Sequence, residues 1–111
     1  MAEVRALLRY SSSSAQKMRQ VIGAVRGRKA EEALNLLRAM PHTAAARLAK
    51  LLQSAIANAV ENQGLRKEDL VIDRVFANEG PTRKWRRFGA RGRHKPILRR
   101  SSHVTIVLRE E

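Results

Sequence analysis

The chain has no cysteine, which removes disulfides, thiolate metal sites and cysteine nucleophiles from consideration. It has no apolar run near the length of a membrane span. No internal repeat is visible, and the serine run Ser11–Ser14 is too short to count as low complexity. The most telling absence is local: residues 81–100 contain no Asp or Glu. What is present is 111 residues and 12.5 kDa, a length for one domain. Hydrophobic residues make up 43% of the chain, enough for a small core, so wholesale disorder is excluded.

Charge is plentiful and uneven. The net charge is +13 and the pI about 11.6, which calls for a polyanionic partner. Residues 1–80 hold 13 Lys/Arg against 8 Asp/Glu, and residues 101–111 hold one against two. Residues 81–100 hold nine Lys/Arg and no acid, so these twenty positions carry over two-thirds of the net charge. Like charges at that density repel, and the segment has little apolar material to resist them. The first 30 residues hold one acid, Glu3, seven Lys/Arg and the serine run, a composition shared with organellar transit peptides. Their strand and helix periodicity instead favours a folded, basic N-terminus.

The periodicities divide the chain into elements. Ala2, Val4, Ala6, Leu8 and Tyr10 alternate with Glu3, Arg5 and Arg9, predicting a half-buried strand with Tyr10 on its inner face. Ser14 is a candidate N-cap for a helix whose stripe is Met18, Val21, Ile22 and Val25, with Gly27 as its left-handed stop. Ala30, Ala33, Leu34 and Leu37 define a second helix, with Glu31 and Glu32 in its first turn and Pro41 beyond it. Thr43 is expected to cap a third, longer helix carrying Leu48, Leu51, Leu52, Ala55 and Ala59 and ending at Gly64. Leu70–Ala77 and His103–Leu108 read as strands.

The expected architecture is α+β: three helices packed on a small three-stranded antiparallel sheet, with a long basic β-hairpin protruding. The expectation is a single domain, 1–111, made of a globular body, 1–80 and 101–111, and an extended hairpin, 81–100. If pairing runs on outward without a break, ten residues per arm reach about 33 Å, with Gly89 and Gly92 marking the tip.

Catalysis finds little support. His42, His94 and His103 are far apart and lack metal-ligand spacing, so no metal or cofactor is expected. Asp73, Glu79 and His103 are the residues an RNA-processing enzyme would have to use at the hairpin base, and nothing sets them apart from ordinary surface groups. Gly23–Lys29 imitates a phosphate loop but has short glycine spacing and no Ser or Thr after Lys29.

The hairpin is the strong signal. Its cations are Arg83, Lys84, Arg86, Arg87, Arg91, Arg93, Lys95, Arg99 and Arg100. Seven of the nine are arginine, whose planar fork suits phosphates and stacks on bases. Trp85 and Phe88 either stack on RNA bases or form a cross-strand aromatic pair that stiffens the ribbon. Lys17, Arg19, Arg26, Arg28 and Lys29 around the first helix form a second cluster that either docks the body on RNA or is a solvated helix face.

Several runs match a known family. These are Arg9-Tyr10, Ser14 with Lys17 and Arg19, Arg26-Gly27, Ser54-Ala55-Ile56-Ala57-Asn58-Ala59 with Asn62, Glu79-Gly80-Pro81, Ala90-Arg91-Gly92-Arg93, and Arg100-Ser101-Ser102-His103-Val104-Thr105. Over essentially its whole length the chain resembles the large-subunit ribosomal proteins numbered twenty-two, in their bacterial or organellar form. The resemblance implies a non-enzymatic structural constituent of the large subunit, cytoplasmic or in an organellar ribosome. It implies binding to large-subunit rRNA early in assembly, with neighbouring ribosomal proteins as partners and no cofactor, membrane, small-molecule substrate or homo-oligomer. It also implies that the hairpin tip, Phe88, Gly89, Ala90, Arg91, Gly92 and Arg93, lines the nascent-polypeptide exit tunnel and meets the nascent chain transiently. Arg83, Lys84 and Trp85 would occupy the arm stretch tied to macrolide response. The chain departs from the family in two places. Ser12, Ala15 and Gln16 replace an Arg, the Pro and a second Arg of the usual Arg-x-Ser-Pro-Arg-Lys run, and Phe88-Gly89-Ala90 replaces Pro-Arg-Ala at the tip. The rival reading is an architectural DNA-binding protein that lays a β-ribbon arm in the minor groove.

Overall fold

Val4, Ala6 and Leu8 turn inward at every second residue and so begin a strand with one face in the core. A computed structural model describes residues 3–88 and 94–111, with residues 83–88 and 94–97 described by their backbone only. The elements run β1 (Glu3–Ser11), α1 (Ala15–Val25), α2 (Ala30–Ala39), α3 (Thr43–Gln63), β2 (Leu70–Glu79), β3 (Arg83–Phe88), β4 (His94–Arg99) and β5 (Ser102–Glu110). A single 3-10 turn, Lys67–Asp69, leads into β2. The body's sheet has the order β1-β5-β2 and is antiparallel throughout, so the last strand of the chain is the central one. All three helices lie on one side: α1 packs on β2, α3 on β1 and β5, and α2 on α3. The fold is the expected α+β arrangement.

The helix stripes close this layer. Met18, Val21, Ile22 and Val25 of α1 are all buried, as are Ala30, Ala33 and Leu37 of α2. On α3 the alanines at 45, 49, 55 and 59 are buried beside Leu48 and Leu52, which lets its neighbours approach closely. Ser14 caps α1, its Oγ accepting from the Lys17 N–H at 3.3 Å. Gly27 is left-handed (φ 78) as expected, but it serves a turn beyond the helix end. Arg26 is extended, and the Arg28 N–H donates to the Val25 carbonyl at 3.2 Å, the pattern of a type II turn that needs glycine third. Thr43 lies inside α3 instead of capping it. The His42 carbonyl already accepts from the Ala46 N–H at 3.2 Å, so His42 holds the cap position, with no side-chain bond.

Tyr10 departs from the expected inner face. The register shifts between Leu8 and Ser11, and Tyr10 takes φ 55, so the strand bulges there. Ser11 takes the buried place and Tyr10 is 66% exposed. The serine run is part of the fold. Ser13 is buried, and its carbonyl accepts from Ser102 Oγ at 2.8 Å.

Pairing does not run unbroken into the hairpin. β2 and β5 pair as far as Glu79 opposite Ser102, and β3 and β4 form a separate two-stranded ribbon that starts at Arg83 opposite Arg99. Three residues on the outgoing arm face two on the return. The joint is held by Gly80 N–H to the Ser101 carbonyl (2.9 Å) and Ser101 Oγ to the Pro81 carbonyl (2.7 Å). The radius of gyration is 16.9 Å, against about 13 Å for a compact chain of this length, which reflects the protruding ribbon.

The joint depends on glycine. A Cβ on Gly80 would stand 2.6 Å from Ser101 Oγ and 3.3 Å from the Ser101 carbonyl carbon. Gly80→Ala should therefore displace Ser101 and cost about 1–3 kcal/mol in urea unfolding. Gly23, exposed on α1 with nothing within 4 Å of its added Cβ, gives the opposite sign. Gly23→Ala should stabilise by about 0.5–1 kcal/mol. Equal midpoints for the two variants would show that the joint tolerates the methyl.

Candidate nucleic-acid interface

The ribbon is arranged against its own stability. In the β3–β4 register Arg83 stands opposite Arg99 and Arg87 opposite Lys95, so two of the six rungs set cation against cation. Directly opposed like charges destabilise an antiparallel pair. The other rungs are Lys84–Leu98, Trp85–Ile97, Arg86–Pro96 and Phe88–His94. Trp85 and Phe88 lie on the same strand, so they are not each other's cross-strand partners; their rungs are Ile97 and His94. The tip residues Gly89, Ala90, Arg91, Gly92 and Arg93 lie outside the described residues, as do the side chains of Arg83, Lys84, Arg86, Arg87 and Lys95. Arg99 and Arg100, at the ribbon's base, are exposed.

The second cluster divides by what each cation touches. The guanidinium of Arg19 donates to the Ala77 carbonyl at 2.9 Å and that of Arg26 to the Val75 carbonyl at 3.1 Å. Both carbonyls lie on β2, an edge strand, so these arginines occupy acceptors that no strand takes. Further along, the edge is covered by the Lys29–Val71 bridge and by the Ile72 N–H bonded to the Arg28 carbonyl at 3.0 Å. Arg28 Nε bonds the Ala24 carbonyl at 2.7 Å. Arg19 and Arg26 remain exposed, so each has a structural bond and a surface that faces solvent.

Lys17 belongs to a different feature, a cleft of about 470 Å³ lined also by Ser12, Ser13, His42, Thr43 and Arg47. Arg47 bonds Ser13 Oγ across it. The sequence reading passed over Arg47. Its signal was there: Arg47 and Lys50, three apart, are the only cations of α3. Two cations and three hydroxyls around an open cleft suit an anion such as a backbone phosphate.

The structure does not assemble the acidic rival. Glu79 and His103 lie near the joint, but Asp73 sits at the other end of β2, ion-paired to Arg74 at 3.5 Å and Arg109 at 3.4 Å. Four to five residues of strand, roughly 15 Å, separate Asp73 from His103. Among the described residues no group of three or more His, Asp or Glu could hold a metal ion, and no helix is long and apolar enough to cross a membrane.

Comparison with known proteins gives this build a class. The uL22 protein of the large ribosomal subunit from Synechococcus sp. (strain JA-3-3Ab) is 45% identical over 107 residues, covering 96% of this chain and 87% of that one. The uL22 protein of Desulfatibacillum aliphaticivorans is 46% identical over 108 residues, covering 97% and 99%. The uL22c protein of Platanus occidentalis, of chloroplast type, is 46% identical over 108 residues, covering 97% and 70%. The α+β body with its protruding cationic ribbon is thus that of a structural constituent of the large ribosomal subunit. Residues 6–109 match the model of the family Ribosomal protein L22p/L17e, and the chain belongs to that family.

Proposed function

We propose that the chain binds large-subunit rRNA early in assembly, through the ribbon and the basic cleft of the body. The ribbon tip then lines the nascent-polypeptide exit tunnel near the macrolide site. The observation that carries the RNA reading is the pair of cation–cation rungs in a segment of nine cations and no acid. Such a ribbon gains most from an anion that neutralises both arms at once, and a folded RNA supplies phosphates on several sides. The tunnel and macrolide assignments to Arg83, Lys84, Trp85 and the Phe88–Arg93 tip follow from the family.

Tagged protein from lysate, sedimented through sucrose at about 0.5 M salt, tests this reading. Co-migration with the large subunit, abolished by RNase, is the expected result, with crosslinks from the ribbon to rRNA. Release to the top of the gradient would mean binding by charge alone, and the architectural DNA reading would replace this one.

A further inference from the structure

The side of the sheet that faces away from the helices has no described element over it. Leu7, Thr105 and Phe76 form one row across β1, β5 and β2, with Leu7 46% and Phe76 40% exposed. The bulge adds Tyr10 to the same side. Its ring meets His103 edge-on, with centroids 4.8 Å apart at 83°, and its N–H donates to His103 Nδ1 at 3.1 Å. A left-handed tyrosine carries a conformational cost of about 1 kcal/mol or more. Here the bulge turns Ser11 into the buried place and leaves the tyrosine ring exposed beside the sheet, against His103.

Charge selects the occupant. Arg5 and Arg9 are exposed on β1, and neither makes an ion pair among the described residues. The carboxylates of Glu3 and Asp73 lie at the far end of the sheet and are already paired with Arg74 and Arg109. The apolar atoms are interrupted by Thr105 and flanked by guanidiniums, which is unlike the continuous apolar patch of a protein-docking surface. Strand spacing and rise put Tyr10 and Phe76 about 12 Å apart. Two exposed aromatics at that separation on an open antiparallel sheet, with arginines beside them, match the chemistry of unpaired nucleotides: stacking for bases, guanidinium for phosphates.

We propose that the outer face of the β1-β5-β2 sheet binds unpaired RNA nucleotides, with Tyr10 and Phe76 each stacking a base and Arg5 and Arg9 holding the phosphates. This rests on the rRNA-binding reading above. The full chain is titrated with a single-stranded hexaribonucleotide and with a duplex RNA at one salt concentration. Tyr10→Ala and Phe76→Ala should each weaken the single-strand affinity by roughly 5- to 140-fold, with the duplex affinity unchanged and Tyr10→Phe close to the parent. In parallel, a photoreactive phenylalanine at position 10 or 76 in assembled large subunits should crosslink to rRNA. Parent-like single-strand binding by both alanine variants, or crosslinks to protein alone, would overturn the sheet proposal and leave the rRNA reading standing. A parent chain that binds no RNA would overturn both.

Discussion

A chain in which Asn-Gly replaces residues 83–98 should keep a cooperative melting transition and lose most of its salt-dependent affinity for rRNA. Among the described residues the buried core is drawn from residues 4–77 and 104–108, two stretches that the deletion leaves intact. Thr82 and Arg99 flank the cut where the ladder restarts, a spacing that a two-residue turn closes. The deletion removes seven of the nine cations of 81–100. If about six of them meet phosphates, each contributes about 0.7 to the slope of log affinity against log salt, for a total near 4. Raising salt from 50 to 200 mM would then weaken the parent roughly 300-fold more than the truncated chain. An unchanged slope would place the RNA contacts on the body, and a non-cooperative melt would show that the body depends on the ribbon.

Leu52→Ala should be a severely damaging core truncation of α3. Leu52 is fully buried in the hydrophobic core. Truncation removes three buried carbons and leaves a cavity, for a cost of about 2–5 kcal/mol. For a domain of this size that lowers Tm by roughly 10–20 °C. It is a large share of the 5–15 kcal/mol such domains possess. Gln53→Ala, one position along on the exposed side, should shift stability by less than about 0.5 kcal/mol. A small effect at Leu52, read by calorimetry, would mean that the helical layer collapses around the void.

The parts of the fold legible in the sequence were those set by local periodicity. Met18, Val21, Ile22 and Val25 announce one buried helix face, and Val104, Ile106 and Leu108 one strand face, because burial repeats with the geometry of the element. Tyr10 escaped because a bulge suspends the two-residue alternation, and its geometry depends on His103, 93 positions away. Arg19 and Arg26 looked like free cations because the carbonyls they meet lie 58 and 49 residues away. The ladder breaks where residues 80–82 face residues 100–101, a three-against-two irregularity that two-residue alternation does not announce. Arg47 was hidden by its setting, a cation on a helix whose alanines and leucines drew the reading to packing.

The arginine-covered rim of β2 also bears on the interval between synthesis and incorporation into the subunit. A free chain with two open sheet edges is a template for strand-to-strand clumping, and here one of the two is closed by Arg19, Arg26 and the Lys29 bridge before any RNA arrives. Neutral replacements at Arg19 and Arg26 would thus lower the yield of soluble, unassembled protein as well as its charge.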